Sequence, residues 1–253
     1  MTGDEQVFTD EDSAVMYDIE NPWDTDGSTY EGYVLTCATV LDAVLDVGCG
    51  TGSMLHLARE RGAAGRLVGV DPDEAMLARA RRRTDIEWVK ATAARMAYEA
   101  EFDLVTMNSN AFQCFVTDED LRASLAAIHR ALKPGRVFMF GTRHLQARAW
   151  EAWNPGNGGT FTTPDGRRFR SWFRVEEVAG PLVTFTETTA LPDGTPVRTA
   201  AATLRFHTPR DAEPVPGRGR FPHRVPVRGP EVRRAHPGQP RHHHRRACPI
   251  RCS

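Results

Sequence analysis

The sequence predicts an α/β fold in which a mostly parallel sheet has helices on both faces and is followed by an antiparallel β region. The first observation is an apolar strand, Val44 to Val47, that runs through a glycine-rich turn into a segment with helical spacing. The second is the alternation of apolar strands with amphipathic helices as far as Gly141. The third is a change of period after Phe161, where β-rich runs are separated by glycine and proline turns.

The turn from Asp46 to Gly52 is the most informative stretch of the chain. Its pattern, D-x-G-x-G-x-G, places three glycines between the strand and the helix that Ser53 opens. Glycine is needed where the backbone takes a positive φ or where a ligand lies against the main chain, and the N–H groups of a helix start attract an anion. Two phosphate-binding patterns do not fit, because G-x-G-x-x-G needs glycine or alanine where Ser53 stands and the P-loop needs a lysine.

A second strand ends in a carboxylate nineteen positions after Gly52. Leu67 to Asp71 is short and apolar, and Pro72 then leads into a helix with Met76 on its apolar face. An acidic side chain at this position can accept hydrogen bonds from both hydroxyls of a ribose. Together the two motifs resemble those of class I S-adenosylmethionine-dependent methyltransferases, over about residues 14 to 206.

This resemblance implies a Rossmann-like core, S-adenosylmethionine as the cofactor, and methyl transfer to an N, O or C nucleophile of a small-molecule acceptor. It implies that Asp46 and the glycines hold the methionine part and that Asp71 holds the ribose. The family commonly places an acidic and then a small residue near the adenine, where this chain has Thr92-Ala93. The predicted cofactor-binding residues are Asp46, Gly48, Cys49, Gly50, Gly52, Asp71, Pro72, Met76, Thr92, Ala93 and Asn108.

The fourth predicted strand, Phe102 to Met107, ends in the polar run Asn108-Ser109-Asn110. Ligands of open α/β sheets collect at the carboxyl ends of strands, so this run is interpreted either as a substrate contact or as a solvated loop. It lacks the Pro-Pro-aromatic sequence typical of methyltransferases that act on nucleic-acid bases. No catalytic residue is assigned, and the candidates are Asn108 and, as a general base after strand five, His144, whose alternative role is that of a solvated loop histidine.

The same resemblance divides the chain into an N-terminal helical lid (1–43), a cofactor-binding core (44–145), an antiparallel β insert (146–206) and an atypical tail (207–253). In the first segment, Tyr17 and Trp23 are interpreted either as packing residues or as part of a lid over the cofactor. The insert is predicted to be an antiparallel meander. The order of segments resembles that of sugar-amine N-methyltransferases and related small-molecule enzymes, and this resemblance implies that the insert covers the acceptor pocket. Its aromatic residues either line that pocket or pack in a core: Trp153, Phe161, Phe169 and Trp172.

Composition favours a globular cytoplasmic protein. The chain has 253 residues, of which 40% are hydrophobic, and no stretch approaches the ~20 apolar residues of a membrane span. Residues 1–206 contain 30 acidic and 21 basic side chains, and this acidic body argues against a nucleic-acid partner. The five cysteines are odd in number and scattered, so neither a disulfide framework nor a metal site is expected.

The tail after Phe206 does not continue the pattern. It holds eleven arginines, nine of the seventeen prolines and six of the nine histidines, with no helix or strand period. Two hypotheses explain it: a disordered basic extension, or a shifted reading frame that replaces the usual terminal helix and strands. The abrupt break at His207-Thr208-Pro209 favours the shifted frame. Loss of the terminal strands would leave strand five as an open edge and predicts poor solubility or aggregation. His242, His243 and His244 are not assigned as a metal site.

Two other functions stay open at this point. A catalytically impaired protein that binds adenosylmethionine or adenosylhomocysteine would share all these motifs. An NAD-dependent oxidoreductase is disfavoured by Ser53 and by Asp46 on the strand. The sequence leaves the acceptor and the oligomeric state open.

Overall fold

A computed structural model describes residues 8–27 and 29–208 and the backbone of residues 246–251. Two helices come first, α1 (Asp10–Glu20) and α2 (Tyr30–Val40). The alternating part consists of β1 (Ala43–Val47), α3 (Ser53–Glu60), β2 (Arg66–Asp71), α4 (Glu74–Ala80), β3 (Glu87–Lys90), β4 (Phe102–Met107), α5 (Asp118–Ala131) and β5 (Leu132–Thr142). The remaining strands are β6 (Gly159–Thr162), β7 (Arg168–Ala179), β8 (Leu182–Ala190), β9 (Pro196–Arg205) and β10 (Arg246–Arg251).

The larger sheet has the strand order β3-β2-β1-β4-β5-β10, and every neighbouring pair is parallel except β5 and β10. Every residue of β1 and β4 is buried, as expected for central parallel strands with helices on both faces. The strand order reverses between β1 and β4, where open α/β sheets bind their ligands. The predicted α/β fold is confirmed.

Alternate residues of the central strands face two separate cores. Leu45 and Val105 pack in the core that includes Ile128 of α5, whereas Val44 and Leu104 pack in the core that includes Leu35 of α2 and residues of α3. Because side chains alternate along a strand, this division follows directly from the apolar runs of the sequence. The two cores fix the sheet, and with it the positions of the strand ends.

Three helices begin at a threonine whose hydroxyl caps the first turn. The Thr9, Thr29 and Thr117 hydroxyls accept hydrogen bonds from backbone N–H groups of α1, α2 and α5, respectively. Thr9 and Asp12 form a reciprocal capping box, in which the Thr9 N–H donates to the Asp12 carboxylate over 2.8 Å. These caps satisfy N–H groups that have no partner within the helix.

The second sheet is an antiparallel meander with the order β6-β7-β8-β9, as the sequence predicts. It is linked to the larger sheet by a cluster in which Trp150 packs edge-on against Phe206, with 4.5 Å between ring centroids. Helix α1 also joins the two parts, because Met16 packs with Phe161 and Phe169 of the second sheet. The limits 1–43, 44–145 and 146–206 of the segments stay predictions.

The expectation that strand five has an open edge is wrong. Arg246–Arg251 pairs antiparallel with Val137–Thr142 and covers that edge. The sequence missed this strand because its arginines and Pro249 leave no alternating apolar pattern. The rest of the predicted tail from residue 209, with His242–His244, lies outside the described residues.

A membrane-spanning helix is not found among the residues that the structure describes. The same part of the chain holds no group of three side chains suited to a metal ion.

Candidate functional site

The glycine turn between β1 and α3 folds back over the end of β2. Gly48 and Cys49 donate their N–H groups to the Val70 carbonyl at 2.7 and 3.1 Å. Gly48 and Gly52 have φ angles of 69° and 79°, which side-chain-bearing residues adopt only with strain. A Cβ atom at Gly48 would lie 2.7 Å from the Ala111 Cβ atom, so the glycine also lets the loop after β4 approach.

Asp46 is a buried carboxylate at the carboxyl end of β1, with 2% of its surface exposed. Its Oδ1 accepts hydrogen bonds from the Thr106 hydroxyl at 2.7 Å and from the Asn108 Nδ2 at 2.9 Å. Burial raises the pKa of Asp46 to about 7, the two hydrogen bonds oppose this rise, and the charge of Asp71 adds to it. The Asp46 carboxylate is therefore poised to gain a positively charged partner.

Asp71 lies at the end of β2, next to Asp46 across the sheet. Its Oδ2 accepts from the Gly50 N–H at 2.8 Å and its Oδ1 accepts from the Asp73 N–H, also at 2.8 Å. Burial raises the pKa of Asp71, and the two N–H donors lower it. A carboxylate offers about four lone-pair positions, so both oxygens retain capacity to accept hydrogen bonds from a ligand.

A cleft of about 330 Å³, open to solvent, lies above the carboxyl ends of β1 and β4. Its lining comes from three parts of the chain: the N-terminal segment, the glycine turn with the start of α3, and the loop after β4. The lining residues are Tyr17, Asn21, Trp23, Asp46, Gly48, Cys49, Thr51, Ser53, Met54, Asn108 and Ser109.

Residues 44–135, which contain the glycine turn and both carboxylates, match the model of a protein family described as a methyltransferase domain. This chain carries a methyltransferase domain. The predicted resemblance to class I S-adenosylmethionine-dependent methyltransferases is thereby confirmed.

Curated relatives resemble this domain over part of the chain. A cypemycin N-terminal methyltransferase from a Streptomyces species is 40% identical over 95 residues, which are 36% of this chain and 38% of that protein. A 2-phytyl-1,4-naphtoquinone methyltransferase from Nostoc punctiforme is 34% identical over 103 residues, which are 37% of this chain and 43% of that protein. The chain thus matches less than half the length of each.

Solved structures resemble a larger part of the chain. CalS10, an amino pentose methyltransferase from Micromonospora echinaspora solved with S-adenosylmethionine, has a TM-score of 0.60 at 22% identity, covering 83% of this chain and 87% of that one. CcbJ, a methyltransferase from Streptomyces caelestis, has a TM-score of 0.61 at 19% identity, covering 81% and 84%. At these identities the likeness establishes a shared fold, which extends beyond the methyltransferase domain.

The cleft of the methyltransferase domain brings together only some of the predicted cofactor residues. Asp46, Gly48, Cys49 and Asn108 line it directly. Gly50 and Asp71 are hydrogen-bonded to each other beside it. The remaining predicted residues are not among its lining: Gly52, Pro72, Met76, Thr92 and Ala93. Of these, Thr92 is exposed and Ala93 is buried at the start of a short 3-10 helix, Ala93–Arg95. The full cofactor set stays a prediction.

Cys49 is a lining residue without acid–base chemistry at neutral pH. Burial, followed by the charges of Asp46 and Asp71, raises the pKa of the Cys49 thiol well above its usual value. The thiol therefore stays protonated and acts as a small apolar wall.

Two residues that sequence reasoning missed support the methyltransferase domain. Thr106 is fully buried in β4 and donates to Asp46. Asp18 of α1 accepts hydrogen bonds from the Thr51 and Ser53 hydroxyls in the glycine turn. Thr106 could have been found from the sequence, because it is a threonine in an otherwise apolar strand. No local pattern indicates Asp18, because its role depends on a contact with Thr51, 33 positions away.

His144 lies just after β5, as predicted, but its ring has a structural contact. The His144 Nδ1 accepts a hydrogen bond from the Gln146 N–H at 3.1 Å and caps the short helix Leu145–Ala147. In the neutral ring, an accepting Nδ1 leaves the proton on Nε2. His144 would therefore have to break this cap in order to remove a proton through Nδ1.

The aromatic side chains of the insert pack mainly with each other. Phe161 stacks on Phe169 with 5.5 Å between centroids, and both are buried. Trp153 packs against Phe185 at 4.8 Å, and the Arg143 guanidinium lies 5.4 Å from the Trp153 ring centroid. Because Arg143 follows β5, this contact connects the functional edge of the larger sheet with the second sheet.

Proposed function

We propose that this protein transfers a methyl group from S-adenosylmethionine to a nucleophile on a small molecule. The observation that carries the proposal is the pair of buried carboxylates, Asp46 and Asp71, at neighbouring strand tips on either side of a glycine turn that is part of a methyltransferase domain. A buried carboxylate is stable beside a cationic or hydrogen-bonding ligand and costly without one.

The residues fit this cofactor. The Asp46 carboxylate and the Oδ1 of Asn108, a buried atom without a hydrogen-bond partner, suit an α-ammonium group. Asp71 suits the two ribose hydroxyls, because its oxygens have lone pairs that the Gly50 and Asp73 N–H groups do not use. Glycines at positions 48 and 50 let a ligand reach the main chain.

When bound, the cofactor supplies a methyl group on a sulfonium that is already activated for attack. The protein then has to align the acceptor and exclude water. Helix α1 and Trp23 are suited to exclude water, because Tyr17 and Trp23 line the cleft.

We infer further that the acceptor is a neutral amine, which attacks without a general base. Three ionisable side chains that follow β4 or β5 are poor bases: Arg143 is cationic, the His144 Nδ1 is occupied, and burial raises the pKa of the Cys114 thiol. The names of two similar proteins, an N-terminal methyltransferase and an amino pentose methyltransferase, support the same class of nucleophile.

Location and partners remain proposals. The acidic charge of residues 1–206 supports a small molecule rather than a nucleic acid as the partner. The cytoplasm is the compartment proposed from the scattered cysteines, of which the three with described side chains are free thiols.

Calorimetric titration of the full chain with S-adenosylmethionine and S-adenosylhomocysteine tests the cofactor. One molecule of each is expected to bind, and Asp46→Asn is expected to abolish binding. Asp42→Asn serves as the matched control, because Asp42 is exposed at the opposite end of β1. A folded wild-type protein that binds NAD but neither of these nucleosides would overturn the proposal.

A labelled-methyl assay with separate pools of primary amines, phenols and alcohols tests the reaction. Transfer to the amine pool is expected. Transfer confined to phenols or alcohols would overturn the amine assignment but leave the methyltransferase in place. Tight nucleoside binding with no transfer to any pool would instead favour the catalytically impaired binding protein.

A further inference from the structure

Two residues that line the cleft each have a buried polar atom without a hydrogen-bond partner among the described residues. One is the Nε1 atom of Trp23, which can only donate, and the other is the Oδ1 atom of Asn108, which can only accept. Buried polar groups are nearly always paired, because an unpaired one loses its hydration without compensation. A donor and an acceptor left open in one cleft indicate a ligand that supplies one of each.

The orientation of the Asn108 amide is fixed by its neighbour. Asn108 is 4% exposed, and its Nδ2 donates to the Asp46 Oδ1 at 2.9 Å. A carboxylate accepts only from the amide nitrogen, so the Asn108 oxygen must be the atom that is left for the ligand. The acceptor side of the cleft therefore combines a carboxylate and an amide oxygen, which is the environment that an ammonium group requires.

Trp23 is held on the other side by packing. Its ring contacts the core that contains Leu35 of α2 and Leu55 of α3, and the preceding Pro22 restricts the backbone. This packing limits the freedom of the indole to turn its N–H group towards solvent. The Nε1 donor is thus a preorganised part of the cleft wall.

The charges of the lining residues explain why a neutral donor is needed to bind a ligand carboxylate in this cleft. The lining includes the acid Asp46 but no lysine, arginine or histidine. A ligand carboxylate in this cleft must therefore be met by N–H and hydroxyl donors and by the positive end of α3, which begins at Ser53 in the same lining.

We propose that the Trp23 indole N–H binds the α-carboxylate of the cofactor and that Asn108, together with Asp46, binds its α-ammonium group. This inference rests on the proposed function and deepens it, because it assigns Trp23 to recognition of the amino-acid part of the nucleoside. It also decides between the two interpretations of Trp23 given by the sequence, in favour of a residue that contacts the cofactor.

Three ligands isolate this contact in calorimetric titrations of the full chain. S-adenosylhomocysteine carries both charged groups, decarboxylated S-adenosylhomocysteine lacks only the carboxylate, and 5′-methylthioadenosine lacks both charged groups. Trp23→Phe keeps the ring and its packing but removes the N–H donor. Loss of a hydrogen bond to a charged group is expected to weaken S-adenosylhomocysteine binding at least about 10-fold.

The variant is expected to leave binding of the other two ligands within about twofold of wild type, because neither has a carboxylate. Trp172→Phe, the same change on β7, is the matched control and is expected to alter none of the three affinities. An unchanged melting temperature for both variants shows that the fold is intact.

Two results would overturn the assignment of Trp23. Unchanged binding of S-adenosylhomocysteine to Trp23→Phe would show that the N–H group is not used. An equal loss for all three ligands would show that Trp23 only shapes the nucleoside pocket. If wild-type protein binds none of the three, the proposed function itself fails and this inference fails with it. That outcome differs from the first two, in which wild-type binding is retained.

Discussion

At the scale of single residues, Asp46 shows how a binding group costs stability. Its pKa of about 7 in the folded protein exceeds the usual 3.8, with burial as the main cause. Between these two values the folded state binds the proton more strongly than the unfolded state does. The free energy of unfolding therefore falls as pH rises from about 4 to 7, and the full contribution of Asp46 is present only below about pH 4.

Asp46→Asn is expected to remove this pH dependence. Between pH 5 and pH 8 the variant should gain about 2–3 kcal/mol of unfolding free energy relative to wild type, since each pKa unit corresponds to about 1.4 kcal/mol. Urea unfolding of both proteins at the two pH values measures the difference. Parallel curves for wild type and variant would show that Asp46 titrates near its ordinary pKa, contrary to this prediction.

Cofactor affinity is expected to rise with pH over the range in which Asp46 loses its proton, whereas the free energy of unfolding falls. An ammonium group binds the Asp46 carboxylate and not the neutral acid, so the free protein must lose its proton before binding below pH 7. S-adenosylhomocysteine should bind about 10-fold more weakly at pH 6 than at pH 8.

The other ionisable groups near Asp46 are not expected to cause this pH dependence of binding. Asp71 keeps hydrogen bonds from two N–H groups, and the Cys49 thiol stays protonated. Calorimetry across this pH range, repeated with 5′-methylthioadenosine as the ligand without an ammonium group, separates Asp46 from Asp71. An equal decline for both ligands would assign the pH dependence to the ribose site instead.

At the scale of elements, α1 connects the cofactor turn with the antiparallel sheet. Towards the turn, Asp18 accepts from Thr51 and Ser53 and pairs with Arg79 of α4. Towards the sheet, Asp12 pairs with Arg167, and Glu20 accepts from the Ser171 hydroxyl of β7. Helix α1 is thus held by contacts with both parts of the fold, and the lid role of residues 1–43 stays a prediction.

Asp18→Asn is expected to weaken the contacts of α1 with the glycine turn and with Arg79. The Asp18 and Arg79 side chains are 26% and 21% exposed, so their pair is only partly screened, and about 1 kcal/mol of unfolding free energy should be lost. S-adenosylhomocysteine affinity should fall as well, because the hydroxyls of Thr51 and Ser53 in the cleft wall lose their charged acceptor.

Glu11→Gln is the matched control on the same helix. Its pair with Arg82 is 69% and 57% exposed, so its removal is expected to change neither stability nor affinity measurably. Urea unfolding and calorimetry provide both comparisons. A loss of stability in Asp18→Asn without any loss of affinity would restrict α1 to a structural role.

At the scale of the whole molecule, the sequence predicted those features that a few consecutive residues determine. The glycines of Gly48 to Gly52 and the acidic strand tips were readable, because positive φ and buried apolar runs leave a mark in a few consecutive positions. The Asp12–Arg167 pair and the unpaired Trp23 Nε1 atom were not readable, because they depend on how distant segments meet. The strand at Arg246–Arg251 was missed for a related reason: its partner edge on β5 favours pairing, while its own composition gives no strand signal.

The pairing of β10 with β5 leads to a prediction for the complete chain. Val137–Thr142 would present an open row of backbone groups without β10, next to the buried Phe138 and Phe140. Such an edge is a template for pairing with another copy. A chain that ends at residue 208 is therefore expected to self-associate as its concentration rises, whereas the full chain is expected not to self-associate in this way.

A chain ending at residue 251 keeps β10 and is the control. Light scattering coupled to size-exclusion chromatography gives the masses of all three proteins, and a monomeric 208-residue chain at every concentration would show that β5 does not need β10.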